Sequence, residues 1–169
     1  MRPNYIINFW GPKNLKCWPA SSLHDVDIPQ PSKQFLIEVG LPNKEDWTLR
    51  FDHESDDLPR LPNKGNFRCI GFDDFVPLCF DENRLGCVIA DETEIGGSER
   101  FVNSNVEYFA EFLVLYQEYR ITAQVLSEEE IGGTIDKTEA MMCQADPKAF
   151  DNPNNYWSVI VEQMRQGML

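Results

Sequence analysis

Carboxylates are the commonest side chains in this sequence with chemistry to offer, and they come in clusters. Asp52, Glu54, Asp56 and Asp57 form one group, Asp73-Asp74 and Asp81-Glu82 form pairs, and Asp91-Glu92 stands close to Glu94. Acidic loops hold divalent cations through hard oxygen ligands, and two facing carboxyl groups serve as acid and base in hydrolysis. None of these clusters follows the D-x-D-x-D-G order of a calcium loop, so they read as solvated acidic surface. Only two histidines, His24 and His53, are present. Neither has a serine or cysteine at a spacing that suggests a nucleophile and its base. The phosphate loop G-x-x-x-x-G-K-[ST], the dinucleotide turn G-x-G-x-x-G and the nucleophile elbow G-x-S-x-G are all missing. Gly96-Gly97 and Gly132-Gly133 belong to none of these phosphate-binding patterns and read as turns. The sequence therefore predicts no catalytic residue, no metal site and no cofactor.

The five cysteines, Cys17, Cys69, Cys79, Cys87 and Cys143, are odd in number, and no two stand at C-x-x-C spacing. Neither histidine falls at a zinc-ligand spacing from any of them. Cys69, Cys79 and Cys87 lie in apolar, strand-like runs, which predicts buried free thiols acting as small hydrophobes. That usage fits a cytoplasmic protein. No stretch approaches the roughly 20 apolar residues of a membrane helix. Asn8 and then Gly11-Pro12-Lys13 interrupt the N-terminal run before a signal-peptide core could form.

Fifteen basic residues against 28 acidic ones give a net charge of −13. Such a field repels nucleic acid and anionic membrane and speeds association with basic partners. The same charge also serves plain solubility.

A chain of 169 residues is the size of one domain, and residues 1–169 are read as one. Residues 1–27 are broken by Pro3, Pro12 and Pro19 and read as an irregular arm packed on the rest, whose first residues form an edge strand or a packed arm. A first helix follows Pro29, with Pro31 in its first turn, Phe35, Leu36 and Val39 on its apolar face and Gly40 as its left-handed stop. Trp47–His53 alternates with period two, which predicts a half-buried strand. Further strands are expected at Phe67–Phe72, Val76–Phe80, Gly86–Ala90 and Glu99–Asn103. The short links between them favour an antiparallel meander of about five or six strands. Ser104 and Glu107 match a capping box. Behind them Val106, Phe109, Phe112, Leu113, Tyr116 and Tyr119 recur at helical spacing. Ser127-Glu128-Glu129-Glu130 suits the start of a short helix, and a last helix is expected over about Asn154–Met168. The fold class is α+β, a central antiparallel meander flanked by helices.

Several of these phrases also carry a resemblance. Ile28-Pro29 is followed by Phe35-Leu36-Ile37-Glu38-Val39-Gly40-Leu41-Pro42; then come Cys69-Ile70-Gly71-Phe72 and the paired strands of Val76 to Ala90 around Gly86, ahead of Asp91. Phe101-Val102-Asn103-Ser104, the helix from Val106 to Tyr119 and the terminal segment from Tyr156-Trp157 to Leu169 complete the order. In that order the chain resembles the SUKH superfamily, bacterial immunity proteins related to a fungal cell-wall regulator, and most closely its fourth group. The N-terminal arm and the stretch from Ile131 to Asn152 carry none of the resemblance. It implies a compact α+β domain that binds and neutralises a cognate polymorphic toxin, often a nuclease or a nucleic-acid deaminase, with no catalysis of its own. No contact residue transfers from the family. A regulatory or scaffolding module of the same fold is the alternative, and the oligomeric state stays open. If the partner is basic, the acidic residues Asp52, Glu54, Asp56, Asp57, Asp73 and Asp74, dense near one end of the predicted sheet, are the expected contact.

Overall fold

The N-terminal segment departs from expectation. In the structure, a computed structural model that describes residues 3–43, 49–51 and 56–168, Pro3–Trp10 is a helix, α1. Pro3 suits a first turn, where no partner exists for the N–H it lacks. Ile6 and Trp10 stand four residues apart, hence on one helical face, and both are buried. A 3-10 turn (Pro12–Asn14), the short strand β1 (Leu15–Lys16) and a second 3-10 turn (Ala20–Leu23) follow, so the described residues 3–27 are largely structured rather than irregular.

Helix α2 (Gln30–Glu38) starts with a proline in its first turn and buries Phe35 and Leu36, as expected. Gly40 ends it at φ +77° and passes the chain to β2 (Leu41–Pro42), which pairs antiparallel with β1. The glycine is required twice over. Its φ is one that side chains disfavour, and a Cβ there would overlap the Lys16 carbonyl.

The main sheet holds β3 (Leu49–Arg50), β4 (Arg60–Leu61), β5 (Lys64–Asp73), β6 (Val76–Asp81), β7 (Cys87–Asp91) and β8 (Glu99–Asn103). Its order is β3-β5-β6-β7-β8, with β4 also on β5, and every pairing is antiparallel. The last four strands form the expected meander. The strand foreseen at Trp47–His53 is described at Leu49–Arg50, which pairs with Asp73 and Phe72; Trp47, Thr48, Asp52 and His53 lie outside the described residues.

Alternation sorts the side chains onto two faces. Leu78, Phe80, Val88, Ala90 and Val102 join the main core with the helices. Phe67, Cys69, Cys79, Cys87 and Ile89 form a second cluster on the opposite face, with Leu61, Phe72 and Phe101 at its margin and, among the described residues, none from a helix. Both faces being covered, β7 is buried at all five positions. The three cysteines are buried thiols outside any disulfide, as predicted. Ion pairs cross this second face instead of a helix. The Lys64 ammonium lies 2.9 Å from Asp91, 3.1 Å from Glu99 and 5.2 Å from the centre of the Phe67 ring, and Arg84 pairs with both Asp81 and Glu99.

Helix α3 (Val106–Ala123) is the longest apolar element and is buried on more than one side, from Phe109 through Tyr116. It therefore does not present a single stripe to the sheet. Sheet, α1 and α2 pack on it together with α4 (Glu128–Ala145), while Trp157 of α5 (Tyr156–Arg165) meets Phe112 at 5.4 Å and Tyr116 at 6.0 Å between ring centres. Fully burying a side chain such as Phe109 contributes about 1.5–3 kcal/mol.

Two local expectations fail here, each for a physical reason. The cap of α3 is Asn105, whose side chain accepts from the Tyr108 N–H at 2.9 Å, because Ser104 is held elsewhere. Asp146, at the end of α4, accepts from the Ser104 N–H at 2.7 Å, the Ser104 hydroxyl at 2.8 Å and Asn103 Nδ2 at 3.1 Å. Asn103 Oδ1 in turn accepts from the Trp157 indole at 2.8 Å. The second failure is Gly132-Gly133, which sits inside α4 rather than in a turn. The capping box that starts α4 is real, at Ser127 and Glu130, and it launches 18 residues rather than a short helix.

Candidate partner-binding surface

Of the predicted acidic contact residues that are described, Asp73 and Asp74 stand in one place and Asp56 and Asp57 in another. Asp73 and Asp74 stand together at the tip of the β5–β6 hairpin, where Asp73 pairs with Val76 across a two-residue turn. Asp56 and Asp57 are exposed in the connection before β4, beside the middle of β5, since the Cys69 N–H donates to the Pro59 carbonyl. Four residues of strand separate Cys69 from Asp73, about 13 Å at ~3.3 Å per residue. Asp56 is ion-paired with Lys16 of β1, which offsets part of its field. Asp52 and Glu54 lie outside the described residues.

The hairpin tip is built with more constraint than a solvated turn needs. Asp74 holds φ +50°, a left-handed conformation that aspartate visits more readily than most residues. The Arg50 guanidinium of β3 donates to the Asp74 carbonyl at 3.3 Å. From α5, the Tyr156 hydroxyl donates to Asp73 Oδ2 at 2.7 Å. Burial, with the charge of Asp73 next to it, pushes the Tyr156 phenol well above its ordinary range, so it stays a donor. Between these fixed residues Phe75 stands 86% exposed.

The neighbouring hairpin ends at the same end of the sheet. Leu78, near the start of β6, pairs with Ala90, near the end of β7, so the β5–β6 and β7–β8 tips emerge at the same end of the sheet. The second tip is a 3-10 turn, Thr93–Ile95, with Ile95 67% exposed. Glu92 is paired with Arg100 at 3.0 Å, and Glu94 is exposed. This end of the sheet thus joins two apolar side chains to a rim of Asp73, Asp74, Glu92 and Glu94. Sequence reading took the acids and missed Phe75, although an aromatic in a two-residue turn between apolar strands was a usable signal.

At the opposite end of the sheet the carboxylates are consumed internally. Burial pushes Glu82 up, but the Asp27 N–H, Arg60 and Arg68 outweigh it and hold the carboxyl below its usual range. Arg68 also donates to the Leu58 carbonyl at 3.2 Å and to Asp25 at 2.8 Å. Asp81 follows the same pattern: Arg84, Asn66 and the Asn83 N–H outweigh its burial. At the β7–β8 end, next to Glu92, Lys64 and Thr93 do the same for Asp91. These groups serve the fold and are unsuited to proton transfer near neutral pH.

Among the described residues, no group of three or more His, Cys, Asp or Glu side chains is arranged to hold a metal ion. A groove of about 960 Å³ runs between the ends of α3 and α5 and the start of α4, lined by Tyr119, Arg120, Ile131, Gly132, Ile135 and Met164 among others. Its nearby Arg165 is engaged by Asp136 and Glu139, and it contains no nucleophile beside a base. No helix among the described residues is long and apolar enough to cross a membrane.

No curated protein and no solved structure matches the chain significantly. The model of the SUKH-4 immunity protein family matches residues 6–163. That span takes in the N-terminal arm from residue 6 onward and the 131–152 stretch, the two segments for which the sequence phrases gave no support. On that match, over an α+β fold of the expected architecture, the chain belongs to the SUKH-4 immunity protein family.

Proposed function

We propose that this protein neutralises a cognate toxin domain by protein–protein contact, without catalysis of its own, in the cytoplasm of the cell that makes both. The observation that carries the reading is the family match over residues 6–163. The toxin is proposed to be a nuclease or a nucleic-acid deaminase, and the support for that is charge. A domain built to grip phosphates is basic, and the present chain carries −13. Opposite fields of this kind raise association rates to on the order of 10⁸ M⁻¹s⁻¹ at low salt.

The test is co-expression with the C-terminal domain of the secreted protein encoded directly upstream. A one-to-one complex that co-purifies and abolishes the domain's toxicity is expected, with association slowing steeply as salt rises. Absence of a complex, or undiminished toxicity in cells containing both proteins, overturns the reading.

A further inference from the structure

We propose that the end of the sheet carrying Phe75 and Ile95 is the contact surface for the toxin, with Phe75 as its apolar anchor and Asp74 facing a basic side chain at the rim of the receiving pocket. The inference rests on the immunity reading above and names the surface that performs it.

Three observations converge on this end. Phe75 is the most exposed large apolar side chain among the described residues, at 86%, and Ile95 of the adjacent tip is 67% exposed. An aromatic that packs on nothing in its own fold gains the most from a pocket supplied by a partner, and buried aromatics dominate interface energetics. The anchor is also pre-organised. The turn is tied to β3 through Arg50 and to α5 through Tyr156, so little of the tip's freedom remains to be lost on binding. Finally, the surroundings are acidic. Asp73 and Asp74 precede Phe75 in its turn, and Glu92 and Glu94 lie in the tip that carries Ile95, with Arg50 held on the Asp74 carbonyl and Arg100 on Glu92; apolar side chains with carboxylates beside them match a basic partner.

Leu85, 78% exposed, is the internal control. It sits in the β6–β7 turn at the other end of the sheet, beside the ion pair of Arg84 and Asp81.

The experiment measures binding of the purified upstream-encoded C-terminal domain to the full chain and to three variants by surface plasmon resonance. Phe75→Ala is expected to weaken the complex at least about 30-fold, chiefly through faster dissociation. Asp74→Asn keeps the left-handed turn and is expected to slow association several-fold at low salt only. Leu85→Ala is expected to bind within about 3-fold of the parent. All three positions are exposed, and circular dichroism and the urea midpoint verify that each variant is folded. If the parent binds and Phe75→Ala binds equally well, the inference is overturned and the immunity reading stands. The inference also falls, with the immunity reading intact, if Leu85→Ala is the variant that loses binding. If the parent itself does not bind, both are overturned.

Discussion

Replacing Asp146 by alanine removes the acceptor of three hydrogen bonds in a place that water does not reach. The residue is 2% exposed, and its partners are the Ser104 N–H, the Ser104 hydroxyl and Asn103 Nδ2. A hydrogen bond to a charged acceptor contributes about 1.5–3 kcal/mol, and the three are not additive because they share one carboxylate. Each stranded donor adds a desolvation cost, while removing the buried charge returns part of it. The balance is a loss of about 3–5 kcal/mol, or a Tm lower by about 6–20 °C for a chain of this size. The revealing measurement is a double-mutant cycle by urea unfolding, with intrinsic tryptophan fluorescence as the probe. Ser104→Ala should cost about 1.5–2.5 kcal/mol in the parent and close to nothing in Asp146→Ala, a coupling of about 1.5 kcal/mol or more. Asn105→Ala should cost about 1 kcal/mol in both backgrounds, since it removes the cap of α3. An equal cost for Ser104→Ala in both backgrounds would refute this account and return Ser104 to the role of a helix cap.

Three further outcomes follow from the structure. Asp81, Glu82 and Asp91 have carboxyl groups held below their unfolded range near pH 4, so their contribution is complete above that range and lost as pH falls through the lower folded values. The urea midpoint should hold steady from about pH 8 to 6 and drop below about pH 4.5, with a shallower drop in Asp81→Asn; a midpoint that rises on acidification contradicts the ion-pair assignment. Cys17 is the exposed thiol, whereas burial pushes Cys87 up to about 11, and the hydrogen bond with Cys69, together with burial, keeps Cys79 protonated. A neutral thiol reagent should therefore label Cys17 first and reach Cys69, Cys79 and Cys87 only after unfolding, as peptide mapping would show. Gly40→Ala should cost about 3 kcal/mol or more, because strain at φ +77° adds to overlap with the Lys16 carbonyl; Gly96→Ala, at φ +84° with open space around it, should cost about 1 kcal/mol.

The strands were legible because a half-buried strand writes its period into the chain, and β5 to β8 fall where apolar runs and turn residues put them. Helix α1 was obscured by weighing Pro3 as a breaker, when position decides whether proline breaks or begins a helix. Ser104 misled because its Glu107 partner satisfied a local rule, while the competing acceptor, Asp146, lies 42 residues away. Gly132-Gly133 misled because a glycine pair reads as a turn in sequence, whereas in the folded chain it continues the helix that begins after Ser127. The acidic contact set was the least legible feature. Composition shows how many carboxylates there are, yet only the register of β5 separates Asp56 and Asp57 from Asp73 and Asp74. Only the folded chain reveals that Glu82, Asp81 and Asp91 are already occupied.

The tandem glycines of α4 also divide that helix into two regimes of motion. Its first buried side chain is Ile135, and a Cβ at either Gly132 or Gly133 would meet open space. Each glycine costs about 1 kcal/mol relative to alanine in a helix interior, with no packing gain here to offset it. The opposite end is pinned by Asp146 to the β8–α3 junction. Amide protons of the first two turns should therefore exchange with deuterium through local openings far cheaper than global unfolding, while those near Met142 report the stability of the whole chain. Because Ile131 and Gly132 line the groove between α3, α4 and α5, each such opening would widen that groove without disturbing the sheet.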